Sequence, residues 1–297
     1  MPADILSGER FTSITPITKG WSEDKKYCVT DASGTRYLLR ISSIARHENR
    51  KLLFDMLGRV AALGIPMCKP VEFGTCAEGV YSLQSWINGE DLEAALPELS
   101  NTKQYALGVQ AGEILKAMHN IPAPEGREDW AVTYNRKIDR VLQAYQDCVI
   151  KFDGDTHFIE YIAGNRGLLE NRPQCFQHGD YHAGNMMFEN GKLVIIDFDR
   201  YSFGDPWEEF NRVVFYAKSS PHFATGQVHG YFNGEPPLEF FKLLTLYIAT
   251  GAVSSIPWAM SFAQDDVDAM MKLTQDILAW HGNMQNPVPA WYLEGVV

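Results

Sequence analysis

The sequence predicts an α+β chain of two lobes, a small antiparallel-sheet lobe first and a larger, mainly helical lobe second. Three observations predict this. Up to Ser85 the order reads strand, strand, strand, helix, strand, strand, with turn signals between the runs. After Asn88-Gly89 the character changes, and apolar residues recur at helical spacing. At 297 residues the chain is long enough for two lobes that each hold a core.

The first expected strand covers residues 11–18. Residues 26–30 and 35–41 flank Asp31-Ala32-Ser33-Gly34, which reads as a hairpin turn. In the helix that follows, Leu53, Met56, Leu57 and Val60 recur at helical spacing, and Gly64 with Pro66 ends it. Residues 69–73 and 80–86 are further strands, and Asn88-Gly89-Glu90-Asp91 is a turn. The lobe boundary is set after residue 85, giving lobes 1–85 and 86–297. A long helix is expected over 101–119, with Leu107, Ala111, Ile114, Leu115 and Met118 on one face, and Pro122 and Pro124 beyond it. A second helix falls within 137–145. Residues 186–188 and 193–196 are short apolar runs around Asn190-Gly191, a strong hairpin signal. From Pro206 to Trp280 the chain reads as helical, with breaks near Pro221, at 234–237 and near Pro257.

Composition narrows the class. The hydrophobic and charged fractions, 45% and 21%, are those of an ordinary globular chain. No apolar run approaches the ~20 residues of a membrane span. Residues 1–11 carry charges and no apolar signal core, so a cytoplasmic chain with no membrane partner is expected. The five cysteines, Cys28, Cys68, Cys76, Cys148 and Cys175, are odd in number and form no CxxC pair. That argues against a disulfide framework or a zinc site and for a reducing compartment. A net charge of −11 repels phosphate backbones, so nucleic acid is not an expected partner. A monomer or homodimer is expected.

The informative stretch is His178-Gly179-Asp180-Tyr181-His182-Ala183-Gly184-Asn185, followed by Ile195-Ile196-Asp197-Phe198. It has the form H-x-D-x-x-x-x-N, then a hairpin, then D-F, the pattern of a kinase catalytic loop and its metal-binding Asp-Phe. Phosphoryl transfer demands positioning and charge neutralisation rather than covalent help from the protein. Asp180 is placed to accept or orient an acceptor hydroxyl. Magnesium takes hard oxygen ligands, and Asn185 and Asp197 offer an amide oxygen and a carboxylate. The Asn190-Gly191 hairpin folds the chain back, so Asn185 and Asp197 are expected to converge on one ion. His178 and His182 frame Asp180; with no further ligand cluster they read as packing residues rather than zinc ligands. Asp199, two residues after Asp197, reads as a solvent-facing ion-pair residue, with orientation of substrate or metal as the alternative. Asp205-Pro206-Trp207-Glu208 reads as a helix start, with Asp as N-cap, Pro at the first helical position and Glu completing a capping box.

Phe176-Gln177-His178-Gly179-Asp180 through Asn185, then 195–198 and Gly204-Asp205-Pro206, resemble the aminoglycoside phosphotransferase and choline kinase-like family. The resemblance runs along nearly the whole chain in order and length, and it is specific in the catalytic block. It implies a protein-kinase-like fold, in which 1–85 is the nucleotide-binding lobe and 86–297 the catalytic and acceptor lobe. It implies Asp180 as catalytic base, Asn185 and Asp197 as ligands of Mg2+, and ATP or GTP as phosphoryl donor. The base edge of the nucleotide is expected at Ser85, Trp86 and Ile87. A basic residue on the third strand of such folds binds the phosphates and pairs with a helix carboxylate. Arg40 takes that place, where the family pattern often has Lys, and Glu48 is the expected partner. Lys19-Gly20-Trp21-Ser22 sits where a phosphate-covering loop belongs, although it is not a GxGxxG motif.

The expected activity is a small-molecule kinase that moves the γ-phosphoryl group of ATP or GTP to a hydroxyl of a small, cationic acceptor, such as an aminoglycoside-like antibiotic or an amino alcohol. The acidic side chains Glu208, Glu209, Glu235, Glu239, Asp265, Asp266 and Asp268 and the rings Trp258, Phe262, Trp280 and Trp291 in the helical part favour a cation. The alternative is a nucleotide-binding pseudoenzyme that senses or scaffolds. Arg40 favours it; intact Asp180, Asn185 and Asp197 oppose it.

Overall fold

The computed structural model describes residues 10–18 and 23–296. The expected phosphate-covering loop, Lys19-Gly20-Trp21-Ser22, lies outside them. The chain forms two compact units, residues 1–92 with 184–199 and residues 93–183 with 200–297. The single boundary after residue 85 therefore moves to residue 92, and the segment 184–199 joins the first unit.

The first unit is built on a five-stranded antiparallel sheet of order β1-β2-β3-β5-β4, with β1 Phe11–Ile17, β2 Lys25–Asp31, β3 Arg36–Ser42, β4 Pro70–Cys76 and β5 Gly79–Ser85. The β2–β3 turn forms as its residues dictate. Asp31 Oδ1 accepts from the Ser33 and Thr35 amides at 2.9 Å, and Gly34 takes φ +84. Alternating residues of the strands supply a core of Val29, Leu39, Ile41 and Leu83. Helix α1, His47–Ala61, packs on β4 and β5 through Leu53, Met56, Leu57 and Val60. Strand β6, Glu90–Asp91, pairs with the hairpin β8 Met186–Glu189 and β9 Lys192–Ile195. Ile195 also bridges Met67, and its amide donates to Pro66. These hydrogen bonds carry the late hairpin into the first unit, which hydrophobic pattern alone does not reveal.

The second unit is helical: α2 Asn101–Met118, α3 Trp130–Asp147, α4 Asp155–Asn165, α5 Pro221–Phe232, α6 Leu238–Ala259 and α7 Gln264–Trp280. Helices α2 and α5 touch backbone to backbone through two small-residue pairs, Gly108 with Gly112 and Gly226 with Gly230. A Cβ at Gly112 would lie 2.1 Å from the Gln227 carbonyl oxygen, and one at Gly226 would lie 2.3 Å from that of Tyr105. Helix α6 is the core of this unit, with Phe240, Leu244, Tyr247, Ile248 and Ile256 buried. At 22 residues it is long and apolar enough to cross a membrane by length and composition, unlike the sequence expectation. Most of it is buried against other helices of its unit. The break expected near Pro257 falls two residues on, where the helix ends at Ala259. Helix α3 is longer than expected at both ends. Helix α4 and the paired strands β7 Cys175–Gln177 and β10 Ser202–Gly204 were not expected at all.

Candidate functional site

The catalytic segment leaves β7 at Gln177 and crosses from the second unit to the first between Ala183 and Gly184. Its first part is fixed inside the second unit. Gly179 adopts φ +83, and a Cβ there would lie 1.9 Å from the Arg200 carbonyl oxygen, so only glycine fits. The buried Glu209 accepts the amide N–H of His178 and, at 2.9 Å, that of Gly179. His178 is fully buried, and its Nδ1 accepts the Asp180 N–H at 3.3 Å. The Tyr181 hydroxyl donates to the Ala111 carbonyl at 2.7 Å. The backbone beneath Asp180 is thus pinned by two side chains and a helix.

The Asp180 carboxylate sits between two arginines and a histidine. Arg212 Nε is 3.2 Å from Oδ1, while His182 Nε2 is 3.8 Å and Arg200 Nε 4.0 Å from Oδ2. Burial raises its pKa, but hydrogen bonding and charge from His182, Arg212 and Arg200 outweigh that and bring it down to about 2. Asp180 is therefore an anion at any physiological pH. Glu209 shifts the other way. Burial pushes its pKa to about 8 against the two backbone donors, so it is largely protonated near neutrality.

The expected metal ligands lie in the first unit. Met186 pairs with Ile195, and the Ile196 amide donates to the Asn185 carbonyl at 3.1 Å. Asn185 and Asp197 therefore leave the same open end of the β8–β9 hairpin, as the Asn190-Gly191 signal predicts. Both carry hard oxygen donors, which fits a magnesium ion sharing its remaining positions with phosphate and water. Asp197 has φ +61, an uncommon conformation that Asp tolerates better than most residues. Its side chain is 45% exposed.

The basic residue of β3 is present, but its expected partner is not. Arg40 is buried and pairs directly with Asp199, with Asp24 at 3.8 Å and Asp197 at 3.9 Å. Burial opposes its charge, yet Asp199, Asp197 and Asp24 together raise its pKa. Glu48 stands away from this group. Its side chain is 87% exposed and, among the described residues, meets His47 at 2.9 Å. The reason is helical phase. The inward face of α1 is Arg50, Leu53, Met56, Leu57 and Val60, so the inward polar position is 50, not 48. Arg50 lies three residues before Leu53 and seven before Leu57, a spacing the sequence displays. Asp199, read as a surface residue, is instead a partly buried partner of both Arg40 and Arg50.

At Ser85, Trp86 and Ile87 the chain leaves β5. The Ser85 amide donates to Lys69 at 2.9 Å and the Trp86 amide to Arg36 at 3.4 Å. Ile87 is the first residue beyond those two bonds.

Asp205 is fully buried and caps the 3-10 segment Pro206–Phe215 by accepting the Trp207 amide at 2.8 Å. It also takes a bidentate pair from Arg172, at 2.5 and 3.1 Å, and the Tyr247 hydroxyl at 2.8 Å. Its role is structural. Glu208 does not complete a capping box; it turns inward to Lys137 at 2.7 Å and Gln177 at 3.1 Å. Glu208 and Glu209 are therefore taken out of the set expected to meet an acceptor. Asp266 caps α7 through the Ala263 amide, and Trp291 is buried. Glu235, Glu239 and Asp265 are exposed, as are Trp258 and Phe262, whose rings pack at 4.7 Å.

A family model described as the phosphotransferase enzyme family matches residues 13–241. No curated protein matches the chain in a sequence comparison. Among solved structures, the GDP complex of aminoglycoside 2′-phosphotransferase-IIIa superposes with a TM-score of 0.70 at 12% identity, covering 93% of this chain and 96% of that one. A thermostable mutant of aminoglycoside phosphotransferase APH(4)-Ia, in ternary complex with ADP and hygromycin B, gives 0.67 at 16%, covering 93% and 96%. The amicoumacin kinase hAmiN, in complex with AMP-PNP, Ca2+ and Ami, gives 0.62 at 16%, covering 93% and 90%. At these identities the likeness is one of fold, the protein-kinase-like fold that the sequence predicts.

Proposed function

The chain belongs to the phosphotransferase enzyme family, and we propose that it moves the γ-phosphoryl group of ATP or GTP to a hydroxyl of a small, cationic molecule. The observation that carries this is the open hairpin end from which Asn185 and Asp197 both emerge, five and seventeen residues after the pinned carboxylate of Asp180. Asn185 and Asp197 would hold Mg2+, which when bound neutralises phosphate charge.

Asp180 accepts a hydrogen bond from the acceptor hydroxyl and aims its oxygen at the γ-phosphorus. As the new P–O bond forms, the bond to the bridging β–γ oxygen breaks and the nucleoside diphosphate leaves. The hydroxyl proton passes to Asp180. A carboxylate with a pKa of about 2 is a weak base, so its main contribution is orientation, and the proton moves late. Arg40 supplies positive charge for the donor phosphates.

For a cationic acceptor the support is the net charge of −11 and the exposed Trp258–Phe262 ring pair, with the exposed Asp265 three residues on in the sequence. Purified protein with Mg2+ and either ATP or GTP, assayed for nucleotide consumption against amines, aminoglycosides, macrolides, sugars and amino acids, tests the activity. Turnover that Asp180→Ala does not remove would overturn this reading.

A further inference from the structure

The segment after the expected metal ligand carries a second carboxylate whose surroundings are unlike those of a surface acid. Asp199 lies two residues beyond Asp197, with the buried Phe198 between them. Both carboxylates turn towards Arg40. Asp199 Oδ2 meets Arg40 Nη1 directly, and Asp197 Oδ1 lies 3.9 Å from Nη2. The other oxygen of Asp199 takes Arg50 Nη1 at 2.9 Å. Arg50 is itself held at its two remaining nitrogens, by Ser42 Oγ at 2.9 Å and by Asp24. Asp24 also takes Arg46 at 3.2 Å. The result is a chain of alternating charge, Arg40, Asp199, Arg50, Asp24, Arg46, running from β3 to α1.

We propose that Asp199 is the positioning residue for Arg40. It bridges the arginine of the third strand to an arginine on the helix, in the place where one helix carboxylate was expected. Three physical points support this. A guanidinium offers five N–H donors in a fixed plane, so fixing one edge fixes the direction of the other. With Nη1 held by Asp199, Nη2 is directed to the side of Asp197, where the donor phosphates of the proposed reaction would lie. Second, α1 presents an arginine to the sheet, so two guanidinium groups converge, and only an acid between them makes that arrangement tolerable. Asp199 and Asp24 are the two acids that separate them. Third, the three arginines face three acids, Asp24, Asp197 and Asp199, so an Asp197 engaged with a metal cation would leave one arginine charge unmatched. An anionic nucleotide fits that balance. Because Asp197 and Asp199 flank one buried residue, the same peptide sets both the expected metal ligand and the direction of Arg40.

This proposal rests on the nucleotide-dependent reading of the site, and binding experiments separate the two. Titrations of Mg·ATP and Mg·GTP into wild-type protein, Asp199→Asn, Arg50→Lys and Glu48→Ala are measured by calorimetry, each on protein shown to be folded at the working temperature. Asp199→Asn keeps the shape of the side chain but gives one arginine an amide N–H in place of an acceptor. It is expected to weaken nucleotide binding about ten-fold, the scale of one charge-assisted hydrogen bond. Arg50→Lys is expected to weaken it less, and Glu48→Ala not at all. In combination with Arg40→Lys, the Asp199→Asn loss should be less than additive. In turnover, Asp199→Asn should raise the nucleotide KM and leave the acceptor KM unchanged. A merely structural Asp199 would lower thermal stability and leave nucleotide affinity at the wild-type value, and that outcome overturns the proposal. Wild-type protein that binds nucleotide but phosphorylates no acceptor removes the proposed activity and leaves this comparison decisive. Wild-type protein that binds neither nucleotide overturns both.

Discussion

Arg212 holds Asp180 by a close ionic contact, Nε to Oδ1 at 3.2 Å. The carboxylate thereby keeps a fixed direction and loses basicity, two effects that a single lone carboxylate would not combine. Asp180→Ala should lower phosphoryl transfer by ~10²–10⁴-fold, the usual worth of a positioned acid–base group. Its nucleotide affinity should stay within a few-fold of wild type. Arg212→Gln should raise the Asp180 pKa, because burial, the largest influence, already pushes that way and would be less opposed. A carbon-detected NMR titration of the Asp180 carboxyl reads this directly. The folded-state value is about 2, so the wild-type group should stay ionised throughout pH 4–8 and begin to titrate only below that. Identical titrations in wild type and Arg212→Gln would show that the contact has no electrostatic consequence.

The hairpin end makes a second prediction. Asn185→Ala and Asp197→Asn should both weaken the magnesium-dependent part of nucleotide binding, Asp197→Asn more, since it loses an anionic ligand. Asn is the better replacement at 197 because it tolerates the positive φ of +61, whereas Ala would add backbone strain. Nucleotide titration with and without Mg2+ decides it. A magnesium dependence unchanged in both variants would leave these residues as structural members of the hairpin.

Glu209 links the catalytic loop to pH. Its pKa is raised from 4.5 to about 8 by burial, so the folded state binds a proton that the unfolded state releases between those values. Stability from this group is therefore full below about pH 4.5 and declines as pH rises through 8. Glu209→Gln keeps an acceptor for one of the two backbone amides and cannot ionise. The difference in stability between wild type and Glu209→Gln should shift against wild type as pH rises from 5 to 8.5. Denaturant melts at several pH values measure that difference, and a constant offset would mean that Glu209 is ionised in the fold throughout.

Much of this was legible in the chain, and the exceptions have physical causes. Turn residues with a defined conformational demand, Asp31 to Gly34 and Asn190-Gly191, placed two hairpins and with them β3 and the Asn185–Asp197 pair. The motif around Asp180 fixed its register. Glu48 lies off the inward face of its helix, which runs through Arg50, Leu53, Met56, Leu57 and Val60, while Leu52, one turn after Glu48, is 58% exposed. Asp199 was read as a surface acid because its partners are far away in sequence, 149 residues in the case of Arg50. The glycines of α2 and α5 carried a similar hidden signal. Gly108 and Gly112 lowered the helical propensity of their segment, and only the facing Gly226 and Gly230 explain why they are there. Long-range complementarity of that kind leaves no periodicity to read.

The same cationic surroundings of Asp180 bear on the acceptor. Arg200 and Arg212 both lie within 4.0 Å of the carboxylate that is to receive the hydroxyl. An ammonium next to the reacting hydroxyl would meet two like charges at close range, which costs far more in a partly buried site than in water. Glu208 and Glu209, the acids nearest in sequence to Arg212, offer no compensation, since one is paired with Lys137 and the other is largely protonated near neutrality. A cationic acceptor must then carry its charge well away from the hydroxyl that reacts. Larger amines with a remote hydroxyl should therefore be better acceptors than ethanolamine or choline, in which two carbons separate the groups. Comparison of kcat/KM across such a series tests the placement. Choline and ethanolamine turning over fastest would refute it. Activity confined to neutral or anionic alcohols would remove the cationic acceptor altogether and assign Arg200 and Arg212 to acceptor binding.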